Sequence, residues 1–161
     1  MKEHTIKYFL NKYGTDSTTN FQLVRYAKEL KLANFHCIMR NELKLLRKLK
    51  HIPIFIICNY QATDEAGTHW IAMYKDNENS FYFDSYGVGL FNEPKEFLVH
   101  GVYNIFQIQP DGTKMCGILC LFVLYSLHNG RDFFDIVLEL NNYFNIHARR
   151  SSLSNPTNKG E

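Results

Sequence analysis

The spacing of apolar residues changes several times along the chain, and each change marks a new helix or strand. From Phe21 to Leu32 apolar residues recur every three or four positions, which predicts an amphipathic helix with candidate N-caps at Thr18, Thr19 and Asn20. The stretch from Phe35 to Met39 has the length of a strand. The segment from Glu42 to Lys50 places leucines among basic residues and predicts a second helix, whose basic residues we interpret as a solvated outer face rather than a nucleic-acid site.

Apolar runs of strand length occupy the middle of the chain. Three of them, Ile54 to Cys58, Trp70 to Lys75 and Phe81 to Phe83, predict adjacent strands of one sheet. The turn-like sequence between the last two runs predicts that they form a β-hairpin. A short helix from Pro94 to Val99 and a fourth strand from Val102 to Ile108 are expected to follow.

The last third of the chain has the pattern of helices. Met115 to Leu127 is apolar almost all round, which predicts a buried helix that ends before Asn129 and Gly130. Asp132 to Ile146 has apolar residues at helical spacing and is expected to close the fold. Ser151 to Glu161 contains one leucine and several helix breakers, so we expect a flexible tail or linker there.

Length and composition limit the class of protein. The 161 residues suit a single domain, which we place at residues 1–150, with residues 151–161 as the tail. A hydrophobic fraction of 45% favours a folded domain over a disordered chain. The net charge of +2 gives no support to a nucleic-acid or membrane-surface partner. The longest apolar run, Ile118 to Tyr125, is far shorter than the ~20 residues that span a bilayer, so we expect no membrane partner.

Cysteine usage and the start of the chain favour a reducing compartment. Charged and polar residues interrupt the apolar residues of Met1 to Gly14, which is not the pattern of a secretion signal. The four cysteines are few for the length, and no Asn-x-Ser/Thr site with a permitted middle residue occurs. We therefore expect an intracellular location with free thiols, in which one cysteine can serve as a nucleophile.

The residues that a cysteine nucleophile needs lie at the ends of predicted elements. Cys116 lies among the first residues of the predicted buried helix, where the helix dipole lowers a thiol pKa. His69 opens one strand of the predicted hairpin and Asp84 follows the other, so hairpin pairing makes these two residues neighbours. We predict that Asp84 takes the Nδ1 proton of His69 and leaves Nε2 facing Cys116. Gly117 is expected to leave space for a substrate backbone.

Each of these residues has a more ordinary interpretation when it is taken alone. A single His or Asp at a strand end is more often a surface or turn residue, and a Cys in an apolar helix is usually part of the core. Cys120 keeps that core interpretation. Cys116 and Cys120 could also bind zinc with His128 or His69, but no second pair with ligand spacing accompanies them, so we expect no metal site.

Three motifs taken together resemble the adenovirus-type cysteine proteases. They are Gly67-Thr68-His69-Trp70, then Tyr82-Phe83-Asp84-Ser85-Tyr86-Gly87, then Gln109 followed by Cys116-Gly117-Ile118-Leu119-Cys120. Their order and spacing match that family, with Gln109 seven residues before Cys116 as in the adenovirus branch. The resemblance is closest to relatives encoded by Maverick or Polinton transposons and related DNA viruses, and the wider group includes the SUMO and ubiquitin-like proteases.

The resemblance implies a fold and a reaction. The implied fold is α+β, with a small mixed β-sheet packed against a central nucleophile-bearing helix and flanking helices. The implied reaction is cofactor-free cleavage of viral or transposon structural precursors after Gly. In it Cys116 forms the acyl-enzyme, His69 is the general base, Asp84 orients His69, and Gln109 holds the oxyanion together with the backbone N–H of Cys116.

The resemblance also implies substrate contacts and a location. Trp70, Gly67 and Gly117 are expected to contact the substrate, because the family has a narrow channel beside the nucleophile that admits only a backbone without side chains. The expected partner is therefore a protein or polyprotein with Gly before the cut. The expected compartment is the host nucleus or cytoplasm, together with the virion, and we expect a monomer.

Two departures from the family pattern bear on these expectations. The adenovirus enzymes have Glu where this chain has Asp84, whereas Asp is usual in the SUMO-protease branch. The adenovirus enzyme is activated by DNA and by a peptide tethered through a disulfide, but no Cys lies between Phe97 and Gln109 to form that tether. We therefore expect any DNA or activating-peptide partner to bind weakly. The alternative functions are a deubiquitinase or deSUMOylase acting on host conjugates and a catalytically silent peptide-binding module.

Overall fold

Six α-helices and five strands are present in the part of the chain that the computed structural model describes, residues 4–61 and 69–154, with side chains as far as residue 145. The strands are β1 (Phe35–Met39), β2 (Ile54–Asn59), β3 (Trp70–Lys75), β4 (Ser80–Phe83) and β5 (Val102–Tyr103). The helices are α1 (Ile6–Tyr13), α2 (Asn20–Glu29), α3 (Leu43–Leu46), α4 (Asn92–Leu98), α5 (Cys116–His128) and α6 (Phe133–Ser154), and a 3₁₀ turn at Arg40–Glu42 precedes α3.

The five strands form one mixed sheet in the order β1-β2-β3-β4-β5, which confirms the predicted α+β class. β2, β3 and β4 are antiparallel, whereas β1 and β5 run parallel to their neighbours at the two edges. In the predicted hairpin of β3 and β4, Lys75 lies opposite Ser80 and Ala72 opposite Phe83. His69 and Asp84 therefore lie just beyond the same end of this ladder.

Both faces of the sheet are covered, so its strands have continuous apolar sequences. Alternate residues belong to two separate cores, as the period of a strand requires. The first core joins the sheet to α1, α2, α5 and α6, and includes Phe55, Ile57, Ala72 and Phe83. The second joins it to α3 and α4, and includes Ile56, Cys58, Ile71, Met73 and Tyr82.

Helix α5 is the most buried helix, and its N-terminus begins at Cys116. It is apolar all round because the sheet lies on one side of it and α1, α2 and α6 lie on others, with β3 as its main strand neighbour. Within residues 4–61 and 69–154, no helix combines the length and the apolar composition needed to cross a bilayer.

Several predicted elements differ from the observed ones in length. The segment predicted as a basic helix up to Lys50 is helical only as far as Leu46, and the predicted strand up to Ile108 pairs only at Val102–Tyr103. Helix α1 was not predicted, although Ile6, Phe9 and Leu10 are all buried. Helix α6 continues to Ser154, so the first residues of the predicted tail are helical, and residues 155–161 of that tail lie outside the described part.

Candidate active site

The β3–β4 hairpin brings His69 and Asp84 together, as the sequence predicts. Nε2 of His69 lies 2.7 Å from Oδ1 of Asp84. The two side chains are only 14% and 1% exposed, so water screens this contact poorly. A buried carboxylate bound to a buried imidazole ring favours the charged form of that ring.

The orientation of the His69 ring differs from the prediction. The nitrogen that contacts Asp84 is Nε2, not Nδ1. Nδ1 is buried and makes no hydrogen bond of regular geometry, so it is the ring nitrogen left for the thiol proton of Cys116. The pairing of strands determines which residues become neighbours, whereas the rotation of the ring depends on where Asp84 and Cys116 lie around it.

Backbone and side-chain contacts fix Asp84 from several directions. Its Oδ1 also accepts a hydrogen bond from the backbone N–H of Tyr86 at 2.9 Å, and its Oδ2 accepts one from the N–H of Val88 at 3.3 Å. The amide of Asn104 donates to the carbonyl oxygen of Asp84 at 2.6 Å and accepts from its N–H at 3.0 Å. These contacts hold the carboxylate in its orientation towards His69.

The turn after β4 packs tightly against the segment that precedes α5. Gly87 has a φ of +66°, and a Cβ at this position would overlap the backbone of Phe106. The carbonyl oxygen of Ser85 accepts hydrogen bonds from the N–H groups of Ile108 and Gln109, each at 2.9 Å. Residues 84–87 and 104–109 therefore form one hydrogen-bonded unit that carries both Asp84 and Gln109.

Cys116 is the first residue of α5 and is 6% exposed. Burial alone raises the pKa of its thiol, but the interaction with His69 and the N–H groups of Trp70 and Gly117 outweigh burial and hold the pKa below its usual value. Burial also lowers the pKa of His69, yet the interactions with Asp84 and Cys116 raise it to about 9. The lowered pKa of the thiol and the raised pKa of the imidazole both favour a thiolate–imidazolium pair.

The other cysteines lack this environment. Burial raises the pKa of Cys37 to about 12, and it raises that of Cys58 further. Cys120 is fully buried one turn after Cys116, and its pKa is also raised, mainly by burial. Cys116 is therefore the one thiol among the four whose pKa is lowered.

A cavity of about 290 Å³ opens onto Cys116, and Lys114 is the cationic residue among those that line it. Its lining residues are Ser17, Thr18, Trp70, Tyr86, Thr113, Lys114 and Cys116. A second cavity of about 500 Å³ shares Thr18 and Trp70 with the first. These two residues therefore form a wall between the cavities, and the indole Nε1 of Trp70 donates to the carbonyl oxygen of Thr18 at 3.1 Å.

Gly117 has a packing role that differs from the predicted one. A Cβ at this position would overlap Oγ1 of Thr18 and would lie 3.2 Å from Cδ1 of Trp70. The space above Gly117 is thus filled by this chain's own residues and is not open to a substrate backbone. Trp70 is 9% exposed, so it is both a core aromatic residue and part of the cavity wall.

Gln109 lies behind the cavity rather than in its lining. Its side chain is held at both ends, because Oε1 accepts from the hydroxyl of Ser85 at 2.7 Å and Nε2 donates to the carbonyl oxygen of Thr113 at 2.8 Å. The second Nε2 hydrogen faces the Tyr86 hydroxyl at 3.2 Å. Gln107, two residues earlier, is exposed, and its amide donates to the main-chain carbonyl oxygen of Gln109 at 2.9 Å and to Asp111 at 2.8 Å, so it does not contact the Gln109 side chain.

The structure thus brings together most of the residues that the sequence singled out. His69, Asp84 and Cys116 form one group, with Trp70 beside it and Gln109 behind it, whereas Gly67 lies outside the described residues. In the described part, no group of three or more His, Cys, Asp or Glu residues is placed to hold a metal ion.

Sequence reasoning assigned no role to three residues of this region. Tyr86 belongs to the motif around Asp84, and its position two residues after Asp84 could have identified it as a neighbour of the site. Thr18 was considered only as a helix cap, and Asn104 carried no signal, because its contact with Asp84 joins distant segments.

Comparison of the chain with known proteins gave no family model and no curated relative that matches it.

Proposed function

We propose that the protein is a cysteine endopeptidase that works through Cys116, His69 and Asp84. The observation that carries this proposal is the buried contact between His69 and Asp84 next to a thiol whose pKa is lowered. A thiolate at a helix N-terminus, facing a cavity of about 290 Å³, has the nucleophilicity and the access that attack on a peptide carbonyl requires.

The first half of the reaction forms an acyl-enzyme. The Sγ of Cys116 attacks the scissile carbonyl carbon, a C–S bond forms, and the carbonyl oxygen becomes an oxyanion. The N–H groups at the start of α5 lack helical acceptors and can donate to that oxygen. Nδ1 of the His69 imidazolium then gives its proton to the leaving amine as the C–N bond breaks, and the amine product departs.

The second half restores the enzyme. Neutral His69 takes a proton from a water molecule, and the resulting hydroxide attacks the thioester carbonyl. The C–S bond breaks, the carboxylic acid product leaves, and Cys116 and His69 return to the thiolate–imidazolium pair. Asp84 keeps Nε2 engaged in both halves, so the ring does not rotate between its roles as acid and base.

The fold and the substrate class belong to the same proposal. We assign the chain to the fold of the adenovirus-type proteases, supported by the order of His69, Asp84, Gln109 and Cys116 and by their placement around the start of one buried helix. The substrate is a protein of viral or transposon assembly that has Gly before the cut. The wall formed by Thr18 and Trp70 supports this specificity, since it bounds the cavity beside Cys116 and leaves less room there for a substrate side chain.

The test combines covalent labelling with product sequencing. A peptide vinyl sulfone ending in Gly-Gly should label Cys116 and leave Cys120 unlabelled, and incubation with a denatured proteome should create new amino termini that follow Gly. The Cys116→Ala protein is the matched control and should give neither result.

Other outcomes would replace the proposal. Efficient cleavage of ubiquitin or SUMO fusions, without cleavage of unfolded proteins, would make the protein a deconjugating enzyme. An absence of both labelling and cleavage would leave a peptide-binding module.

A further inference from the structure

Tyr86 lies at the proposed catalytic centre but has no role in the reaction described so far. It follows Asp84 by two residues, and its backbone N–H donates to the carboxylate of Asp84 at 2.9 Å. Its ring lies 4.8 Å from the ring of His69, measured between centroids. Tyr86 also lines the cavity that contains Cys116. Its side chain therefore reaches the space where a substrate carbonyl would meet the thiol.

The amide NH₂ group of Gln109 already donates hydrogen bonds to other acceptors. Gln109 is 1% exposed and does not line the cavity. One hydrogen of its Nε2 is held by the carbonyl oxygen of Thr113 at 2.8 Å, and the other faces the hydroxyl oxygen of Tyr86 at 3.2 Å. The oxygen of the amide is held by Ser85. Gln109 cannot donate to an oxyanion in the cavity without leaving one of these partners.

The hydroxyl hydrogen of Tyr86 is bound much less firmly. Its acceptor is the carbonyl oxygen of Thr113 at 3.4 Å, well beyond the ~2.7 Å that is usual between two oxygens. That carbonyl also receives the shorter bond from Gln109. Rotation about the Cζ–Oη bond alone can therefore turn the hydroxyl hydrogen towards the cavity.

We propose that the hydroxyl of Tyr86 is the side-chain donor that stabilises the oxyanion, and that Gln109 is a positioning residue that acts through it. The N–H of Gln109 points at the oxygen of Tyr86 and polarises its O–H bond, which strengthens that bond as a donor. Burial and the nearby Cys116 raise the pKa of Tyr86, so the phenol keeps its proton at the working pH. This inference rests on the proposed peptidase function.

The main test is Tyr86→Phe, which keeps the ring beside His69 and removes only the hydroxyl. We expect kcat on a Gly-Gly peptide substrate to fall by ~10²-fold with little change in KM, as for the loss of one oxyanion donor. Binding of the matching peptide aldehyde, whose adduct with Cys116 carries an oxyanion, should weaken by a similar factor. Alkylation of Cys116 by iodoacetamide forms no oxyanion, so its rate and pH dependence should not change.

The matched control is Tyr103→Phe. Tyr103 lies on the edge strand β5, is 40% exposed and does not line the cavity of Cys116. This variant should keep the kcat of the unmodified protein. A changed pH profile of alkylation in Tyr86→Phe would show instead that Tyr86 positions His69, and it would overturn the inference.

A double variant tests the role of Gln109. If Gln109 acts through Tyr86, Tyr86→Phe together with Gln109→Ala should be no slower than the slower single variant. Losses that multiply to ~10⁴-fold would show two independent donors and overturn the positioning role. A normal kcat in Tyr86→Phe would return the donor role to Gln109. If the unmodified protein neither cleaves peptides nor reacts with the aldehyde at Cys116, the peptidase function itself fails, which is a separate result.

Discussion

Replacing Asp84 by Asn changes one atom of the proposed catalytic group and removes its buried negative charge. The carboxylate accepts three hydrogen bonds, from Nε2 of His69 and from the N–H groups of Tyr86 and Val88. An amide in its place has one oxygen and one NH₂ group, so at least one of these donors then faces another donor. We expect Asp84→Asn to fold and to lose most of its activity.

The size of the loss follows from the pKa of His69. Burial works against the imidazolium, yet the pKa rises from 6.5 to about 9 because Asp84 and Cys116 bind the charged ring. At about 1.4 kcal/mol for each pKa unit, this rise corresponds to roughly 3 kcal/mol. The loss of an interaction of this size lowers kcat/KM by ~10²-fold, and a misoriented ring extends the loss towards ~10⁴-fold.

The direction of the pH effect is specific. In the proposed mechanism the active form is the thiolate–imidazolium pair, which forms above the lowered pKa of Cys116 and is lost as the pH rises through the raised pKa of His69. Without the negative charge of Asp84 the imidazolium loses its partner, so the pKa of His69 falls. The alkaline limb of the kcat/KM profile should therefore move to lower pH.

The assay compares pH profiles of kcat/KM for the unmodified protein, Asp84→Asn and Asp111→Asn. Asp111 is an exposed carboxylate shortly before α5 that accepts from Gln107, so its variant controls for a general change in local charge. A loss below about threefold, with the alkaline limb of the Asp84→Asn profile unmoved, would refute the electrostatic reasoning.

The remaining predictions concern the thiol and the wall of its cavity. Cys116→Ala should abolish hydrolysis without lowering Tm, whereas Cys120→Ala should keep most of the activity. The opposite pair of results would assign the nucleophile to Cys120. Gly117→Ala should lower stability by ~1–3 kcal/mol in thermal unfolding because its Cβ overlaps Oγ1 of Thr18, and adding Thr18→Ala should restore part of that loss. Trp70→Ala should slow cleavage and relax the preference for Gly in a peptide library. Efficient cleavage after large residues by the unmodified protein would contradict the proposal that Thr18 and Trp70 restrict the residue before the cut.

The neighbours in the site could be predicted because they depend on local pairing. The turn between β3 and β4 is short, so the two segments can pair only as a hairpin, and this places His69 near Asp84. The helix of Cys116 was predictable from a long apolar run that ends at a glycine. Both signals lie within a few residues of the elements they predict.

Features that depend on distant segments could not be predicted in the same way. The region predicted as a strand up to Ile108 leaves the sheet after Tyr103, since Asn104 and the following backbone bind the turn at residues 84–87 instead. The hydrogen bonds of the Gln109 amide to Ser85 and Thr113 follow from this packing of the segment against the turn. Helix α1 carried a readable signal in its buried positions, but charged residues between them and its short length obscured the period.

The orientation of the His69 ring determines which contacts fix the position of its Nδ1. Nδ1 is bonded directly to Cγ, so its position depends on where the main chain of His69 lies and on the rotation of the ring. That main chain is fixed by the hydrogen bond from the N–H of Tyr60 to the carbonyl oxygen of His69 at 2.8 Å, while Asp84 holds the far end of the ring at 2.7 Å. The two contacts together fix the rotation of the ring and the position of Nδ1, which the proposed mechanism uses to carry the proton. Preorganisation of this kind lets a group act as acid and base in turn without a conformational step.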